Sequence, residues 1–236
     1  MKYSDIESDF RAFVRDFGGE VLSENPENKT ADFLFRSQKI VAELKCLMID
    51  QTEEMKKKLG KAVVEAVQKD PTILTLHGHE ELAIATAPPA IQTAWLKILT
   101  APIENIIKDA NRQIRATKEQ LNMPDAKGLV LIFNHANQLH VRPPDFRLLL
   151  AKVLLKKTSD RKLRFPYVEG VVYFSYGNVR AEPLGMSFWA PLQNPVTEGD
   201  DGKCMGYFQI ELRKGWYAYI EKMTGVLVRD FDVEGS

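Results

Sequence analysis

The sequence predicts an α/β fold with a mixed central sheet flanked by helices. Three observations lead there. Apolar runs of strand length, "ADFLFR", "KIVAELKCLMI", "LVLIF" and "FPYVEGVVYFSYGNV", are separated by longer segments of helical periodicity. The first runs are joined by short connections, as in antiparallel hairpins, and the later ones by long helical stretches, as in parallel crossovers. No internal repeat, low-complexity tract or clean linker divides the 236 residues, so they form one domain.

Residues 4–17, "SDIESDFRAFVRDF", place Ile6, Phe10, Phe13, Val14 and Phe17 at helical spacing. Ser4 or Asp5 can cap this helix, and Gly18-Gly19 ends it. "EVLSE" is a short strand candidate and "NPENKT" a loop. Two strands follow, joined by a hairpin turn at Ser37-Gln38. Residues 51–69 read as a polar amphipathic helix stopped before Pro71, and 70–90 as irregular. A helical stretch over 91–121 is expected to break or kink near Pro102. "LVLIF" is an apolar run typical of a buried strand. Residues 144–157 form a helix with Pro144 in its first turn, and "FPYVEGVVYFSYGNV" a strand. For "MGYFQIELRKGWYAYIEKM" the expectation is strand first and helix afterwards.

Lysines and arginines number 32, aspartates and glutamates 32, so net charge alone draws no polyanion. The charge is uneven, however. From Arg142 to Arg164 eight basic residues face only Asp145 and Asp160, and Lys108, Arg112, Arg115 and Lys118 form a second cluster. No apolar run is long enough to span a bilayer, and the N-terminus lacks a signal-peptide core. Two cysteines, Cys46 and Cys204, make no disulfide framework, which points to a reducing, cytoplasmic setting.

The chemistry centres on "ADFLFRSQKIVAELKCL", residues 31–47. Strand alternation points Glu43 and Lys45 to one face while Leu44 and Cys46 point to the other. Pairing of the hairpin brings Asp32 close to Glu43. Two carboxylates in a low-dielectric site repel and raise a pKa, a conflict that a divalent cation resolves. Few hard oxygen ligands with open water positions suit Mg²⁺ or Mn²⁺. Lys45 beside them can stabilise developing negative charge or orient a water. The bland alternative is a cross-strand ion pair on a solvated face.

Asp32, ten intervening residues, then Glu43-Leu44-Lys45 resembles the PD-(D/E)xK motif of restriction-endonuclease-like nucleases. Ala31 stands where the family's proline is usual. The resemblance implies a helix-strand-strand-strand-helix-strand core over 1–50 and 102–137, a helical insertion over 51–101 and a C-terminal extension over 138–236. It implies metal ligation by Asp32, Glu43 and the Leu44 carbonyl, with Lys45 acting on the nucleophilic water. Glu7 is the best match to the first-helix glutamate that many members add, Holliday-junction resolvases among them; Asp9 and Glu20 fit less well. Gln113 resembles a polar helix residue that some members place near the site. Arg112, Arg115 and Lys118 would meet phosphates, and Lys156 and Lys157, in the basic run, the nucleic-acid backbone.

The implied activity is metal-dependent hydrolysis of phosphodiester bonds in DNA, with self-association or a partner subunit plausible. The alternative is a non-catalytic scaffold of the same kind, binding nucleic acid or protein. "HGHEE" has no matched third ligand and reads as surface histidines in the insertion. His135 and His140 follow a strand end with no fixed direction. Cys46 reads as a core thiol, and Tyr173, Tyr176, Phe188, Trp189 and Trp216 as core or interface aromatics.

Overall fold

A computed structural model describes residues 6–23, 29–47, 52–73, 87–134, 143–176, 186–193, 200–225 and 227–230. The chain runs α1 (Ile6–Asp16), β1 (Glu20–Val21), β2 (Phe33–Phe35), β3 (Ile40–Leu47), α2 (Thr52–Lys69), α3 (Pro89–Gln120), β4 (Lys127–Asn134), α4 (Pro143–Leu154), β5 (Gly170–Tyr176), β6 (Met186–Gln193), α5 (Asp200–Thr224) and β7 (Arg229–Asp230). The strands form one seven-stranded sheet in chain order. β1, β2 and β3 are an antiparallel meander. β3, β4 and β5 are mutually parallel, β6 turns back antiparallel to β5, and β7 lies parallel to β6. Each parallel join spans at least one helix, as the return of the chain requires. The expected α/β class with a mixed sheet is what the molecule adopts.

Helices cover both faces. On one, Ile103, Ile107, Ala110 and Ile114 of α3 and Phe146, Leu150 and Val153 of α4 pack on Val41, Val130, Ile132, Val171 and Tyr173. On the other, Phe10, Phe13 and Val14 of α1 and Phe208, Leu212 and Trp216 of α5 pack on Phe33, Ala42, Leu44, Leu131 and Phe174. β4 is therefore buried on both sides, which explains its unbroken apolar run. Gly128 sits near its start because no side chain fits there: a Cβ would lie 1.9 Å from the Tyr167 carbonyl oxygen. Gly128→Ala is expected to destabilise the fold by about 1–3 kcal/mol or more in urea unfolding.

Two expectations need correction, a third is narrowed, and one strand was not expected. The 91–121 stretch does not break near Pro102: it is one helix from Pro89 to Gln120 with the proline inside it. Its buried stripe, Ile91, Trp95, Leu99, Ile103, Ile107, Ala110 and Ile114, runs past the proline without a gap, so packing outweighs the lost hydrogen bond. Residues 205–223 are helical throughout, within α5. Met205, Phe208, Leu212 and Trp216 are buried at spacings of three and four, a helical period that intervening aromatics obscured. The hairpin turn is wider than Ser37-Gln38, because Phe35 pairs with Ile40 and Lys39 takes a positive φ of 53°. Finally, β6 was unforeseen. It contains Pro191, which lies outside the two positions that pair with β7 among the described residues.

Candidate active site

Phe33 pairs with Ala42, which sets Asp32, one residue before β2, across from Glu43. Ala42 and Leu44 enter the core beneath α1 and α5, so Glu43 and Lys45 turn toward α3. Lys45 Nζ lies 2.7 Å from Glu43 Oε1 and donates to Gln113 Oε1 at 2.8 Å. Gln113 in turn donates from Nε2 to the Thr30 carbonyl at 3.2 Å. One turn along α3, Thr117 Oγ1 accepts the Ala31 N–H at 2.7 Å. The segment leading into Asp32 is thus fastened to α3 at two points.

Asp32 Oδ2 accepts the Leu44 N–H at 2.9 Å. A residue's N–H and C=O leave a strand on the same edge, so the Leu44 carbonyl also faces the side of β3 where the β2 ladder has ended. The other Asp32 oxygen, Oδ1, lies 3.5 Å from Nη2 of Arg11, and that nitrogen donates to Glu7 Oε1 at 2.8 Å. Glu7 is therefore joined to Asp32 through Arg11, with its own side chain 46% exposed.

Glu43 is 2% exposed, and its Oε2 receives no hydrogen bond. Burial first, and the Asp32 charge second, push its carboxyl up to about 8, although Lys45 pulls the other way. Asp32 is also raised, by burial, against the opposing effects of the Leu44 N–H, Glu43 and Arg11. The Lys45 contact argues for an ionised Glu43, and burial beside a second carboxylate argues against it. Burial is the larger effect, so at neutral pH the pair holds a proton that Glu43 shares with Asp32.

These residues fit a divalent cation. Glu43 Oε2 is a buried oxygen without a donor, it faces a second carboxylate, and the Leu44 carbonyl shares their edge. Among the described residues no three His, Cys, Asp or Glu side chains gather at a metal-binding distance.

The structure brings Asp32, Glu43, Leu44, Lys45 and Gln113 together, sets Glu7 beside them across Arg11, and places the basic candidates elsewhere. Lys118 is 4% exposed, pairs with Glu169 at 3.1 Å and lies over the Tyr167 ring, so it braces the fold and does not face phosphates. Lys118→Met is expected to cost about 3 kcal/mol in urea unfolding, because it strands Glu169. Lys156 is tied to Glu104, which also holds Arg164. Lys157 is exposed, as are Arg112 and Arg115, each beside an acid on its own helix at 3.3 and 3.7 Å. His77, His79, His135 and His140 lie outside the described residues.

Two features escaped the sequence reading. Arg11 was visible only as the partner, four residues on, of Glu7. A cleft of about 900 Å³ also opens between α2 and α3 at the end of β3, with Leu47, Met55, Ile98 and Ile106 in its wall and Lys58 and Lys97 at its rim.

No family model, curated protein or solved structure matches this chain. No helix among the described residues is long and apolar enough to cross a membrane. What the fold and site define is an α/β protein with an open mixed sheet and a carboxylate pair, Glu43 buried and Asp32 half-buried, attended by a lysine.

Proposed function

We propose that this chain is a divalent-metal-dependent nuclease with a site of the PD-(D/E)xK kind, acting on DNA. The carrying observation is the opposition of Asp32 and Glu43 in a buried site with Lys45 held between Glu43 and Gln113. The element order supports it: a helix, a three-stranded meander, a helical crossover, then β4 parallel to β3.

Asp32, Glu43 and the Leu44 carbonyl would hold the cation. When bound, the cation supplies Lewis-acid polarisation of a phosphoryl oxygen and a more acidic water. Lys45 is positioned by Gln113, so its ammonium points at the carboxylate pair and can orient the attacking water and offset charge growing on the phosphate. Burial of Glu43 keeps bulk water from screening these charges.

The test is cleavage of linear duplex, single-stranded and branched DNA with Mn²⁺. The wild type should cut at least one, and Lys45→Ala should lose on the order of 10²-fold or more. Equal cleavage by both proteins would sink the proposal. The second reading, a non-catalytic scaffold, is favoured by the balanced charge and by the binding of Lys118 and Lys156 to glutamates. It predicts no Mn²⁺ binding that depends on Asp32 and Glu43.

A further inference from the structure

Arg11 stands against the carboxylate pair from a different layer of the fold. Glu43 lies on β3 and Asp32 just ahead of β2, whereas Arg11 comes from α1 and is only 23% exposed at its side chain. The two carboxyl groups of Asp32 and Glu43 lie within hydrogen-bonding reach of each other, and their four oxygens differ in the donors that other residues bring to them. Asp32 Oδ2 takes the Leu44 N–H, Asp32 Oδ1 faces Arg11, and Glu43 Oε1 faces Lys45. Glu43 Oε2 alone receives no donor. Positive charge is therefore already built in on two sides of the pair, and one oxygen is left for an added cation.

On the Glu7 side the guanidinium lies between two carboxylates, 2.8 Å from one and 3.5 Å from the other. A divalent ion bridging Glu7 and Asp32 would need that same space. We propose that Arg11 is a built-in substitute for a second metal ion: it fills the cation position between Glu7 and Asp32, so the site takes one divalent ion, on the Glu43 side. This rests on the nuclease reading only for the first ion, and it assigns Glu7 to Arg11 and not to the metal. Arg11 is a positioning residue, acting on the metal through Asp32.

The consequence is measurable without any substrate. A positive charge a few ångströms from a divalent ion opposes its binding, and removing it should tighten binding about tenfold even under water-like screening. It should also open the Glu7–Asp32 position to a second ion.

The experiment is calorimetric titration of Mn²⁺ into the full chain, as wild type, Arg11→Gln, Arg11→Lys and Asp32→Asn, with circular dichroism confirming that each is folded. The wild type should bind one ion per chain, and Arg11→Gln should bind the first about tenfold tighter and accept a second. Arg11→Lys keeps the charge and should return to one ion at near wild-type affinity, while Asp32→Asn should bind none. Two Asp32-dependent ions in the wild type overturn the inference and leave the nuclease reading standing. So does one ion whose affinity and number Arg11→Gln leaves unchanged. No Mn²⁺ binding by the wild type overturns both. If Arg11→Gln fails to fold, Arg11→Ala takes its place: tighter binding with a second ion upholds the substitute charge, and one ion at wild-type affinity overturns it.

Discussion

Glu43→Gln is expected to make the metal-free protein more stable at pH 8 while abolishing its response to Mn²⁺. The folded protein keeps the Glu43 proton up to about pH 8, against 4.5 for an ordinary glutamate. Below about 4.5 both folded and unfolded states hold that proton, and the group adds no pH dependence. Between the two values only the folded state holds it, so stability falls as pH rises, by at most ~1.4 kcal/mol per unit. Above about 8 both have released it and the loss levels off. Asp32, also raised, adds a loss of the same sign. Glutamine carries no charge to bury, so at pH 8 the variant should exceed the wild type by on the order of 1–3 kcal/mol. Urea unfolding at pH 5, 6.5 and 8 in chelator measures this directly. Parallel curves for the two proteins across that range would refute the assignment of a proton to Glu43. Added Mn²⁺ should restore the wild type at pH 8 and do nothing for the variant, since binding there exchanges a proton for the ion.

Trp216→Ala should produce the largest loss of stability, about 3–5 kcal/mol. Trp216 is fully buried on α5, with ring centroids of Phe10 and Phe13 at 4.9 and 5.2 Å and Tyr219 stacked at 5.7 Å. Phe174 of β5 completes the set at 6.3 Å. Truncation removes the largest of the side chains that α5 packs against α1 and the sheet, and leaves a cavity among the surrounding rings. Trp216→Phe should recover more than half of the loss. Leu148→Ala is the control: its side chain is 64% exposed, and its effect should stay within about 0.5 kcal/mol. Unfolding followed by circular dichroism provides the measurement, and a Trp216→Ala value near that of Leu148→Ala would remove α5 from the core.

The centre of the candidate site was readable because its parts are close in sequence. Asp32, Glu43 and Lys45 belong to one hairpin, so strand alternation and antiparallel pairing were enough to set them together. Lys118 was misread for the opposite reason: its partner Glu169 lies on a segment 51 residues away, and no local pattern shows that a basic residue is buried. Arg11 failed similarly, since its reach to Asp32 depends on how α1 sits against the sheet. Helix α5 and strand β6 lie where glycines, aromatics and prolines blur the two periods, and tertiary packing decided between them.

The order of the sheet bears on how the molecule assembles. Because β1 to β7 lie side by side in the sequence of their synthesis, a chain emerging N-terminus first adds each strand to the edge the previous one left exposed. The carboxylate hairpin pairs early by this route. Its aromatic backing does not, since Phe10 and Phe13 wait for Trp216, about two hundred residues later, to cover them. The first helix is thus sealed by the last, and a nascent chain halted before α5 exposes a phenylalanine-rich surface that a hydrophobic-binding chaperone would recognise.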